Sequence, residues 1–221
     1  LALPLPFIAL WLWRLPVPAV RTEPESRAPG HIDYRLILLI ALFLFLYVGA
    51  EVSFGGWIYT YTVALKLSAP STAAYLTSLF WGSLTVGRLL AIPLAARFRP
   101  RAIMLTDLAG CLASIGVIML WSNSFAAVFT GTVGLGLSMA SLFPTTLALA
   151  ERRMAITGRV TSWFIAGASV GSMLLPWLIG QFFETTGPRV TMLIIMMTLA
   201  LAVGIFVLLI YSPYQAGDGR G

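Results

Sequence analysis

The sequence is poor in charge. Of its 221 residues only 10% are Asp, Glu, Lys or Arg, against about 25% in soluble domains, so a water-facing surface cannot be covered. There is one cysteine, Cys111, and one histidine, His31. This excludes a disulfide framework and a Cys-based metal site, and no metal-ligand cluster is legible elsewhere. A nucleophile elbow and a phosphate-binding loop are also missing. No catalytic residue is therefore assigned, and the chain is not read as an enzyme. What it has instead is hydrophobic: 59% of its residues are apolar and its mean hydropathy is +0.91. Such a chain is a polytopic membrane protein, with the lipid bilayer as its first partner.

A membrane-crossing helix needs about 20 apolar residues. Six stretches qualify: Leu36 to Leu65, Ala73 to Ala96, Ala102 to Trp121, Phe125 to Ala150, Val160 to Phe183 and Val190 to Tyr211. The apolar residues 1–20 read as the end of a preceding span, and the chain as a piece of a longer protein. Residues 21–35, RTEPESRAPGHIDYR, read as a cytoplasmic linker. Residues 36–212 then form the six-helix unit and 213–221 a cytoplasmic tail. With the linker inside, Arg97, Arg99, Arg101, Arg152, Arg153 and Arg159 also fall inside, while Lys66 and Arg189 fall outside. That obeys the positive-inside rule. The net charge of +6 is thus topology, and no nucleic-acid partner is expected.

The six spans repeat in threes. Thr77, Ser78, Phe80, Val86, Gly87 and Leu90 of the second span fall on Thr161, Ser162, Phe164, Val170, Gly171 and Leu174 of the fifth. PRAIML at Pro100 falls on PRVTML at Pro188, and the first and fourth spans match weakly, with Val48 and Gly49 on Val133 and Gly134. An odd number of spans per repeat reverses the second copy in the membrane, the inverted-repeat pattern of secondary transporters.

Three stretches carry a family resemblance. GRLLAIPLAARFRPR (87–101), FPTTLALAERR (143–153) and GASVGSMLLPWLIG (167–180), on this layout of helices, resemble the C-terminal half of a major facilitator superfamily transporter. The first lacks the aspartate of that family's cytoplasmic loop motif. EVSFGGWIYTYT (51–62) and FWGSLTVGR (80–88) are similar to the fucose-permease and sodium-dependent glucose transporter-like branch. The resemblance implies an all-α membrane fold: six transmembrane helices in two inverted three-helix repeats, half of a twelve-helix protein, with an N-terminal helix stub. It also implies an N-terminal six-helix half as partner, and a plasma-membrane location. The implied activity is transport of a small polar organic solute, favoured as a hexose, by alternating access. Without the other half the chain is expected to be inactive. The competing reading is a non-transporting membrane protein that keeps the fold as a binding or trafficking module.

Within EVSFGGW, Glu51 lies about 22 Å along its helix at about 1.5 Å per residue, past the midplane. An ionised carboxylate there costs about 2.5–3.5 kcal/mol on insertion scales. Gly55 and Gly56 each give up about 1 kcal/mol of helix propensity. On one reading the helix breaks here, and Glu51, Ser53, Gly55, Gly56, Trp57 and Trp81 bind solute or a coupling cation at a central cavity. No cofactor is expected beyond that coupling sodium ion or proton, which the other half could equally bind. On the other reading Glu51 snorkels or pairs near the outer boundary, the glycines serve packing, and the aromatic residues belong to the interface belt. At the inner face, Glu151 pairing with Arg88 or Arg97 would make a cytoplasmic gate, while the alternative is a solvated cluster at a helix end. Asp107 is expected to pair locally with Arg101. Gly167 and Gly171, with Gly131, Gly134, Ser138 and Ser141, are read as close-packing positions. Pro93, Pro144 and Pro176 are expected to kink their helices.

Overall fold

The structure is a computed structural model that describes residues 33–211. The expected stub, most of the linker and the tail lie outside the described residues. Seven helices follow in order: α1 Tyr34–Ala64, α2 Pro70–Arg97, α3 Pro100–Leu120, α4 Phe125–Met139, α5 Leu142–Glu151, α6 Gly158–Thr186 and α7 Arg189–Tyr211. With α4 and α5 taken as one interrupted span, six are long and apolar enough to cross a membrane. The molecule is an all-α, multi-pass membrane protein.

Local chemistry sets the helix ends. Asp33 accepts from the Leu36 N–H at 3.2 Å, Ser124 from Ala127 at 3.4 Å and Thr157 from Val160 at 3.4 Å, each meeting a donor the first turn leaves free. Pro70 and Pro100 occupy the first turns of α2 and α3, where a missing N–H costs nothing. α6 ends at Gly187, whose φ of 94° suits a residue without Cβ.

The prolines behave unequally. α2 and α6 keep their helical assignment through Pro93 and Pro176. The fourth span is interrupted, with Ala140 and Ser141 as turn residues between α4 and α5. Pro144 lies four residues after Ala140, so it offers that carbonyl no N–H and crowds it. The backbone tightens there, and the Ala140 N–H bonds the Leu137 carbonyl at 3.4 Å. The first span, where a break was expected at Gly55–Gly56, is one continuous helix of 31 residues. Two helical glycines lower propensity but remove no hydrogen bond, so the helix survives them.

Packing repeats the sequence repeat. α1 carries much of the core, with Phe43, Leu44, Phe54 and Ile58 fully buried. It lies parallel to α6, since Gly167 meets Ala41, Gly171 meets Phe45, and Leu175 meets Gly49. A Cβ on Gly167 or Gly171 would run into the main chain of α1, as the close-packing reading requires. In the equivalent pair Gly87 of α2 stands against Leu137 of α4 and Ala140 just past its end. Gly87 is the residue the sequence lays on Gly171, so equivalent glycines seat equivalent helix pairs. The first and fourth spans differ. The packing makes Phe45 the counterpart of Leu137 and Ala140, so laying Gly49 on Gly134 is not the register the fold uses.

Candidate functional site

Glu51 points into the bundle. Its residue is only 7% exposed, and its carboxyl group is hydrogen-bonded to the hydroxyl of Tyr47, one helical turn earlier. The same hydroxyl lies 3.2 Å from the carbonyl oxygen of Met139, the last residue of α4. Two residues on, the Ser141 hydroxyl donates to the carboxylate of Asp107 on α3. The expected Asp107–Arg101 pair is thus replaced by a tie across to the fourth span. Both acids converge on the interruption between α4 and α5, one through Met139 and one through Ser141. Cys111, fully buried on α3, lies within Coulombic range of both acids. Arg88 is the cation within that range of Glu51 and Tyr47.

The other residues chosen from the sequence lie elsewhere. Ser53 is fully buried, but two positions along a helix turn it about 200° from Glu51, and its hydroxyl has no partner among the described residues. Gly55 lies under Trp81, whose indole ring a Cβ would meet at 2.8 Å; this glycine has a packing reason. Gly56 is exposed, with nothing within 4 Å of where a Cβ would stand; it has none. Trp57 is committed to α6, its indole N–H donating to the Pro176 carbonyl at 3.2 Å and its ring 5.0 Å from that of Phe183. Trp81 is 40% exposed, so Trp81 and Gly56 are the two of this set with an open side. A groove of about 700 Å³ runs between α2 and α4, lined by Thr72, Tyr75, Gly82, Phe125, Phe129 and Leu137 among others. It touches none of the residues chosen from the sequence.

Toward the C-terminal ends of α2 and α5, Arg88, Arg97 and Glu151 are all exposed, and none makes a side-chain hydrogen bond among the described residues. The arginine that does is Arg153, whose guanidinium donates to the Leu209 carbonyl at 2.5 Å and so caps the end of α7. Partial burial, with Arg101 beside it, lowers its hold on its proton below the usual arginine range. Among the described residues no three His, Cys, Asp or Glu side chains gather as a metal site.

The link between α1 and the fourth span escaped sequence reasoning. Tyr47 was legible as an i, i+4 partner of Glu51, and Pro144 as the cause of a free carbonyl one turn upstream. The meeting of the two is tertiary and left no mark in the sequence.

The fold and these residues can be set against known proteins. No family model matches the chain. Major facilitator superfamily domain-containing protein 4A of Homo sapiens is 36% identical over 148 residues, 66% of this chain and 29% of that protein. Sodium-dependent glucose transporter 1 of Xenopus laevis is 36% identical over 146 residues, 66% of this chain and 30% of that one. The crystal structure of the major facilitator superfamily transporter FucP, in the outward conformation, superposes with a TM-score of 0.73 at 18% identity, over 92% of this chain and 51% of that one. The chain belongs to the major facilitator superfamily. PepTSo, a transporter of the POT family, superposes with a TM-score of 0.70 at 17% identity, over 79% of this chain and 37% of its own. The chain spans about a third of the length of the relatives it matches. Its six spans are those of a superfamily unit, and its relatives include transporters.

Proposed function

We propose that this unit is half of a secondary transporter that moves a small polar organic solute, a hexose by preference, by alternating access. The partner is a second six-helix half, and the solute binds between the two. The observation that carries the reading is Glu51: a buried carboxyl group in an otherwise apolar span, which membrane proteins keep for function. Sodium-dependent glucose transporters among the relatives support a sugar and a coupling cation. In this reading Glu51 serves the coupling cation, sodium or proton, and not the sugar, because its carboxyl group is turned inward. The open positions, Gly56 and Trp81, face the solute: an indole offers the apolar surface that sugar C–H groups favour, and a bare glycine allows close approach. Arg88, Arg97 and Glu151 at the inner ends form the cytoplasmic gate in the conformation closed to that side. The protein sits in the plasma membrane with residues 21–35 and the C-terminus in the cytoplasm, as the arginine distribution favours.

The test is hexose uptake by the full-length protein carrying this chain, reconstituted in proteoliposomes. Uptake should fall at least tenfold in Trp81→Ala and in Gly56→Leu while the protein still folds. Wild-type protein that takes up no hexose under any ion gradient would contradict the sugar assignment. If it takes up no small polar solute at all, the binding or trafficking module becomes the better reading.

A further inference from the structure

The link from the first span to the fourth is one hydrogen short when Glu51 is ionised. The Tyr47 hydroxyl lies within reach of two acceptors, the Glu51 carboxyl group and the Met139 carbonyl oxygen, and a phenol carries a single hydrogen. If Glu51 is a carboxylate, it takes that hydrogen. Met139, at the interrupted end of α4, is then left facing a phenol oxygen with nothing to donate. If Glu51 carries a proton, its O–H donates to Tyr47 and the Tyr47 O–H donates to Met139. Both hydrogens are then used, and the Tyr47 oxygen and the Met139 carbonyl oxygen each have a donor.

We propose that Glu51 is a proton-binding site: it is neutral in the conformation described, and its proton, through Tyr47, clasps α1 to the interruption between α4 and α5. The groups that face it fit this state. From α2 comes Arg88, a cation whose side chain is exposed and makes no ion pair with Glu51 among the described residues. From α3 comes Cys111, which is fully buried and uncharged as a thiol, while Asp107 is held by the Ser141 hydroxyl. From the end of α4 comes the Met139 carbonyl, which is uncharged. The ionisable side chains of α6 and α7, Arg159, Glu184, Arg189 and Tyr211, are exposed near the ends of their helices. When water reaches Glu51 and takes up the proton, the carboxylate draws the Tyr47 hydrogen to itself and Met139 is released. The clasp opens where the fourth span has already lost a backbone hydrogen bond, which is where a helix bends most readily. That the proton is also the coupling cation, in place of sodium, rests on the transport reading; the protonation itself does not.

Infrared difference spectroscopy of the full-length protein in lipid tests it without any solute. Wild type at neutral pH should show the C=O stretch of a protonated carboxylic acid, shifted down in D2O. Glu51→Gln should lose that band, while Asp107→Asn should keep it. Tyr47→Phe should keep it but move it to higher frequency, because the acid has lost its hydrogen-bond partner. Adding sodium should leave it in place. The proposal is overturned if Glu51→Gln removes no such band from the wild-type spectrum, if the band does not move in Tyr47→Phe, or if sodium abolishes it. Should Glu51→Gln fail to fold, the Tyr47→Phe shift and the sodium arm decide. A protein that transports nothing but shows the band leaves the proton site standing and sinks only the transport reading.

Discussion

The first and fourth spans are counterparts in the repeat and carry opposite weaknesses. The first has the buried acid and the glycine pair and remains a continuous helix. The fourth has no acid within its apolar stretch, and it is interrupted at Ala140–Ser141 ahead of Pro144. Glycine lowers the probability of helix; proline removes a bond from it. The free backbone group and the ionisable side chain therefore arise on different helices, and Tyr47 joins them. A site of this kind needs both repeats, folded against one another.

That contrast can be broken by experiment, most severely at the seats of the helices. Gly171→Leu places a side chain against the main chain of α1 at Phe45 and should cost about 3 kcal/mol, at the upper end of overpacking. A thermal melt in detergent would read this as loss of the folded protein, and Gly87→Leu should do the same to α2 on α4. Unchanged melting of both would mean the two interfaces are looser than described. Pro144→Ala restores the donor that Ala140 lacks. The restored hydrogen bond should stabilise the fold by about 1 kcal/mol while slowing uptake, since the hinge is healed; faster uptake would remove the interruption from the mechanism. The glycine pair should separate. Gly55→Ala meets the Trp81 ring at 2.8 Å and should destabilise by about 1 kcal/mol. Gly56→Ala meets nothing and should gain about 1 kcal/mol of helix propensity. Equal effects at the two positions would contradict the different roles given to them. The smallest effect belongs to Asn123→Ala, which removes one exposed contact from Arg189 and should change stability by less than about 0.5 kcal/mol.

Much of the fold was legible because lipid enforces regularity. Backbone groups must be satisfied within the helix, so apolar length alone located all six spans. The small residues that let Gly87 and Gly171 approach their neighbours also carried the repeat. The site was less legible. Glu51 stood out by its charge, but the direction of its side chain depends on which face of α1 meets which neighbour, and α1 has no polar stripe to reveal it. The aromatic residues were ambiguous for a related reason. Trp57 and Trp81 are alike in composition and level, yet one is tied to Pro176 and Phe183 and the other is open on one side. Asp107 seemed a local partner for Arg101 because both lie on α3; only the packing of the fourth span brings Ser141 to it.

The most direct measurement is hexose uptake by the full-length protein in proteoliposomes under an inward proton gradient, and separately under an inward sodium gradient, for wild type and Glu51→Gln. The account predicts uptake driven by the proton gradient in wild type, with at least a tenfold loss of that drive in Glu51→Gln, whose amide can hold the clasp but cannot release it. Sodium-driven uptake that Glu51→Gln leaves untouched would contradict the account and move the coupling site out of this chain.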